Sequence, residues 1–203
     1  MRLIDGSRAT TTGRLEAFSD GVFAIAATLL ILGVHESAGP LGRSLLHIWP
    51  SYVAYAVTFV TIGIIWVNHH TVFGQVARVD RRFLLINVMF LMLVAFIPFP
   101  TGLVAAHFRG SGLEPAALAY GATLTVTAVL FNTLWFYAAA GDRLLKADAD
   151  RRVVSGISRS YLPGPFIYLT ATLVALASPI ASVILYAAIT IFYVLESSIF
   201  GRS

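Results

Sequence analysis

Residues Arg14 to Val34 set Arg14, Glu16 and Asp20 against, or inside, an apolar run long enough to cross a bilayer. A charged side chain at the bilayer centre costs roughly 2.5–3.5 kcal/mol on insertion scales, so an ionisable residue in such a run is a functional candidate by default. Asp20 sits deepest of the three. A secretory leader would carry a purely basic segment before its apolar core, and Glu16 and Asp20 occupy that place here. The run therefore reads as a membrane helix.

The rest of the chain agrees. Of 203 residues 58% are hydrophobic and 12% charged, and the mean hydropathy of +0.81 is outside the range of ordinary soluble domains. With no cysteine there is no disulfide framework, thiolate metal site or cysteine nucleophile. The net charge of +4 comes from Lys and Arg between apolar runs, which points to membrane topology and not to nucleic acid.

The sequence predicts an all-α chain, one six-helix transmembrane domain over residues 1–203, with spans at about 17–34, 49–67, 83–104, 118–140, 162–177 and 180–200. Met1 to Gly13 reads as a polar tail ending in a helix cap at Thr12 or Gly13. His35 to His47, with Gly39, Pro40 and Gly42, reads as a loop. Pro98 and Pro100 are expected to kink or end the third span, and Asp142 to Arg159 forms a charged, partly helical connection. The last apolar stretch, Leu162 to Phe200, is about twice the ~20 residues that cross ~30 Å of hydrocarbon, and is divided at Ser178 and Pro179.

Three Lys or Arg residues up to Arg14, three at Arg78, Arg81 and Arg82, five from Arg143 to Arg159 and Arg202 fall in alternate connections, against Arg43 and Arg109 in the others. Twelve against two predicts both termini on the cytoplasmic side of the plasma membrane. That topology brings Arg14, Ser19 and Asp20 at the start of the first helix level with Trp66, Asn68, His69 and His70 at the end of the second, with Asn87 of the third within reach. These polar groups can simply satisfy one another and anchor three helices, with Trp66 in the interfacial belt.

Arg14-x-x-x-Phe18-Ser19-Asp20 resembles the signature of the transmembrane protein 175 family, the lysosomal and prokaryotic potassium channels. Trp66 to His70 and a single set of six spans are similar to that family as well. The resemblance implies a homotetramer whose first helices line a central pore without a re-entrant filter loop. It implies a pore narrowed by apolar residues at Ile25, Leu29 and Leu32, with Thr28 as the polar position tied to cation selection. It also implies that Arg14, Phe18, Ser19 and Asp20, with Trp66, Asn68, His69 and His70, form the motif network that holds the pore helix. Residue spacing independently places Ile25, Leu29 and Leu32 on one helical stripe, which in a membrane is also the form of a lipid-facing or packing surface.

Two functional classes follow. The first is a potassium-selective, or more broadly monovalent-cation, channel conducting passively through a hydrophobic constriction. The second is a proton-coupled secondary transporter using Asp20 and the histidines at 69 and 70. No second copy of the signature appears in residues 118–203, as an internally repeated transporter would lead one to expect. No zinc-protease, phosphate-loop or nucleophile-elbow motif points to an enzyme. The expected partners are further copies of the chain, membrane lipids and monovalent cations, with no cofactor and no metal beyond permeating potassium.

Overall fold

Helix follows helix because long apolar stretches must satisfy their own backbone polar groups within a bilayer. The computed structural model describes residues 12–35 and 40–200, with side chains through residue 195. The described part of the predicted tail is thus Thr12 and Gly13, and both lie inside α1 (Thr12–Leu29); neither is its cap. At Leu30–Gly33 the helix tightens into a 3₁₀ turn.

The predicted loop before the second span contains a short helix, α2 (Leu41–His47), although Glu36 to Gly39 lie outside the described residues. Pro40 starts it: its extended conformation turns the chain, and its carbonyl accepts the Arg43 and Ser44 amides at 3.0 Å each. Next, α3 (Trp49–Gln75) carries Pro50 in its first turn, where no amide is needed, and runs through the Trp66–His70 cluster to Gln75.

Asp80 caps α4 (Arg81–Phe96), its Oδ1 accepting the Phe83 amide at 2.8 Å. The prolines do not end this span. Ile97 keeps helical torsions and α5 (Pro98–His107) continues in the same apolar stretch, because Pro98 stands at its first position. Then α6 (Leu113–Ala139) leads to Gly141 and Asp142, both in left-handed conformations that turn the chain out of the helix. The charged connection holds α7 (Arg151–Tyr161), capped by Asp150. After it come α8 (Gly164–Val174) and α9 (Pro179–Phe200), separated by a turn ending at Ser178.

Among the described residues, four stretches are long and apolar enough to cross a membrane: Thr12–Gly33, Trp49–Gln75, Arg81–His107 and Leu113–Asp142. α9 has 22 residues and is apolar over Pro179–Leu195, and α8 has 11 residues. This is an all-helical membrane protein with at least four membrane-capable helices. α6 is the central post, packing on α4, α5, α8 and α9, while α1 lies to one side against α3 and α4. Gly121 on α6 is required by that packing, since a Cβ there would overlap the Tyr186 hydroxyl of α9 and Thr172 Oγ1 of α8.

Candidate functional site

One face of α1 and its 3₁₀ turn repeats Leu15, Ser19, Phe23, Ala26 and Leu30 at steps of three and four, and all five are buried against the rest of the subunit. Ser19 is the polar member of that face. Its hydroxyl donates to the Leu15 carbonyl at 2.8 Å and accepts from Asn87 Nδ2 of α4 at 3.1 Å. With its amide nitrogen thus committed, Asn87 offers Oδ1 to His69 Nε2 of α3 at 2.9 Å, which assigns the proton to that ring nitrogen.

The histidine is enclosed by aromatic rings. It stacks on Phe73 at 4.3 Å and Phe90 at 5.7 Å and meets Phe23 edge-on at 5.4 Å. Ser19, Asn87 and His69 therefore form a buried bridge across α1, α4 and α3. Each uncompensated group in it would cost on the order of 1–3 kcal/mol.

The neighbouring motif residues go elsewhere. Asp20 is exposed, and its Oδ1 accepts the Trp66 indole N–H at 2.8 Å; Trp66 in turn lies 6.1 Å from the His70 ring. Asn68 accepts the Tyr161 hydroxyl at its backbone carbonyl at 3.5 Å, and among the described residues its amide side chain bonds none of the motif residues. Arg14 and Phe18 are exposed, and the Arg14 guanidinium has no hydrogen bond or ion pair among the described residues. The expected single network of Arg14, Ser19, Asp20, Asn68 and a histidine is thus two separate pairings, one through Ser19 and His69 and one through Asp20 and Trp66. The division follows from helix geometry, because Ser19 and Asp20 point about 100° apart.

Outside the buried face lie Ile25, Leu29 and Leu32, exposed at 60, 40 and 64%. The 3₁₀ turn alters their register. In a 3₁₀ helix residues three apart eclipse, so Leu32 stands directly above Leu29, and Ile25 to Leu32 spans about 12 Å where a straight α-helix would give about 10 Å. Thr28 is exposed beside the stripe, its hydroxyl donating to the Ile25 carbonyl at 2.9 Å.

Residue patterns did not point to a second polar set. Thr58 of α3 bonds the Tyr120 hydroxyl of α6 at 3.1 Å and accepts from Thr101 of α5 at 3.3 Å, while Thr61 bonds Thr190 of α9 at 2.8 Å. These hydroxyls tie α3 to three neighbours. Lone threonines in apolar runs read as ordinary helix surface, and only packing brings them together. Among the described residues no group of three or more His, Asp or Glu side chains is placed to hold a metal.

The family model described as endosomal/lysosomal potassium channel TMEM175 matches residues 14–98, the segment holding α1, α3 and α4. A Chamaesiphon minutus protein named a potassium channel is 42% identical over 202 residues, covering 97% of this chain and all of that one. A Gallus gallus protein named an endosomal/lysosomal proton channel is 34% identical over 143 residues, 64% of this chain and 28% of the larger protein. The crystal structure titled a lysosomal potassium-selective channel TMEM175 homolog from Chamaesiphon minutus superposes with a TM-score of 0.84 at 40% identity, covering 92% of this chain and 97% of that one. Identity of this degree along the full length of a relative means that the chain belongs to the TMEM175 channel family.

Proposed function

We propose that four copies of the chain surround the exposed face of α1 and conduct potassium passively along it. One observation carries this reading: Ile25, Leu29 and Leu32 are exposed on a helix whose other face is buried and anchored by Ser19. In a fourfold assembly they become successive apolar rings over about 12 Å. Water enters such a passage reluctantly, so it closes by dewetting, and a cation crossing it sheds part of its hydration shell. Potassium, which dehydrates more easily than sodium, is favoured.

Thr28 adds a weak polar ring. Its proton is committed to the Ile25 carbonyl, which leaves the oxygen lone pairs for a cation. Selection is therefore real but partial, and the reading needs no cofactor, no nucleic acid and no resident metal. Potassium is chosen over protons because the relative matched along its whole length is named a potassium channel.

The transporter alternative is not favoured. Asp20 bonds Trp66 and His69 bonds Asn87, so no hydrogen bond links the carboxylate to either histidine. Purified protein in liposomes with a potassium gradient and no proton gradient should show ohmic flux, reported together with an internal pH dye. Saturable flux that requires a proton gradient would sink the channel reading.

The topology proposed is six crossings, α8 and α9 being the fifth and sixth, with both termini and the connection containing α7 facing the cytoplasm of a cell whose plasma membrane holds the channel. Single cysteines at Ser7 and Ser155 should then resist an impermeant thiol reagent in intact cells, and one at Ser111 should react. Labelling at the first two from outside overturns the orientation.

A further inference from the structure

At the end of the subunit where α3 stops, α4 starts and α6 stops, the two following segments pair. The Ala77 amide donates to the Leu144 carbonyl and the Lys146 amide to the Gln75 carbonyl, both at 2.9 Å. Arg78 locks the pairing, its Nε and Nη2 donating to the Arg143 carbonyl at 3.1 and 2.8 Å. Beside this lies a cavity of about 470 Å³ lined by Ala77, Arg78, Asp142, Lys146, Ala149 and Arg151.

Its charge is unbalanced. The only carboxylate in the lining, Asp142, is taken by Arg151 at 2.6 Å. Nearby Asp80 is engaged by the Phe83 amide and the Tyr137 hydroxyl, Asp150 caps α7, and Asp148 is outside the lining. The Lys146 ammonium has no partner among the described residues, and Arg78 keeps Nη1 uncommitted. Small alanine side chains leave the cations room around a ligand.

We propose that this cavity binds the headgroup phosphate of an anionic phospholipid. Lys supplies a point charge and Arg a planar set of donors, the pairing that phosphate oxygens accept. The cavity lies just beyond the ends of apolar α3 and α6, which the crossings proposed above put at headgroup depth, and juxtamembrane basic clusters attract anionic lipid. Val154 in the lining and exposed Val153 next to it on α7 offer apolar surface for the acyl chains. A soluble phosphate compound would meet the same cations but would have no use for that surface.

Native mass spectrometry of the purified full-length protein, offered phosphatidylglycerol or phosphatidylcholine with the same acyl chains, tests the site. Phosphatidylglycerol should be retained preferentially. Lys146→Gln, which removes a charge and no existing contact, should weaken its binding by about tenfold. Arg159→Gln, an exposed cation outside the cavity, should change it less than about twofold. Equal retention of the two lipids, equal losses in the two variants, or displacement of the lipid by glycerol phosphate at matched concentration would each overturn the assignment, the last by making the site one for soluble anions.

Discussion

Leu29 and Leu30 are neighbours in the chain with opposite surroundings, one 40% exposed and the other 4%. The contrast marks α1 from Ser19 through its 3₁₀ turn: the inward face holds a polar serine bonded to Asn87 of α4 and through it linked to His69 of α3, whereas outward lie apolar Ile25, Leu29 and Leu32. A helix on a water-soluble protein shows the reverse. Ser19 turns inward here because hydrocarbon offers no hydrogen bonds, whereas Asn87 does. The outward face is left for lipid or for other copies of the chain.

The largest expected effect comes from the two leucines themselves. Leu30→Asn puts an amide where no partner exists and removes buried apolar volume, which should cost about 2–4 kcal/mol in thermal unfolding in detergent. Leu29→Asn should change stability by less than about 0.5 kcal/mol, as surface substitutions do, while raising potassium flux severalfold and lowering discrimination against sodium. Matching flux phenotypes for the two variants, or unaltered flux in Leu29→Asn, would take the exposed stripe out of the conduction path.

A smaller effect is expected in the polar bridge. Asn87→Leu strands the His69 Nε2 proton and should cost about 1–3 kcal/mol. Pairing it with His69→Phe removes donor and acceptor together and should recover most of that loss, because Ser19 still donates to the Leu15 carbonyl. Asp20→Asn, at the exposed pair with Trp66, should move the unfolding midpoint less than Asn87→Leu does. If the double substitution recovers nothing, the bridge acts through shape and not through hydrogen bonds.

The helical class, the long spans and the place of the polar cluster were legible from hydropathy and from the signature around Asp20. What was not legible depended on direction and on distant contacts. Charge alone singled out Asp20 as the residue needing donors, yet the buried bridge belongs to uncharged Ser19, whose 100° offset turns it inward. Trp66 has the composition of an interfacial residue and also serves as a hydrogen-bond donor. Thr58, Thr61, Thr101 and Thr190 lie on three helices far apart in sequence, and no local pattern joins them. Pro98 reads as a kink or an end of its span; regular helix is interrupted at Ile97 and resumes at once, because at the first position of α5 Pro98 removes an amide that has no obligatory partner.

The smallest expected effect sharpens the comparison at the rim, where a polar group can remain charged. Asp80 caps α4 and also accepts the Tyr137 hydroxyl of α6 through Oδ2 at 2.7 Å. Burial works against its charge, but the Phe83 amide, the Tyr137 hydroxyl, the Arg82 amide and the Arg143 charge together hold its carboxyl below the ordinary value of 3.8. A carboxylate with a depressed folded value stabilises fully above the unfolded value, and that contribution is lost as pH falls through the folded one. Asp80→Asn retains capping ability but has one acceptor oxygen for two donors, and should cost about 1 kcal/mol at neutral pH. Unfolding midpoints of the two proteins should therefore differ by a constant amount from neutral pH down to about pH 5 and converge below 3.8 as the wild-type carboxylate is protonated. A gap that stays constant down to pH 3 would mean that shape and not charge holds α4 to α6, which would make this rim contact equivalent to the neutral bridge beneath it.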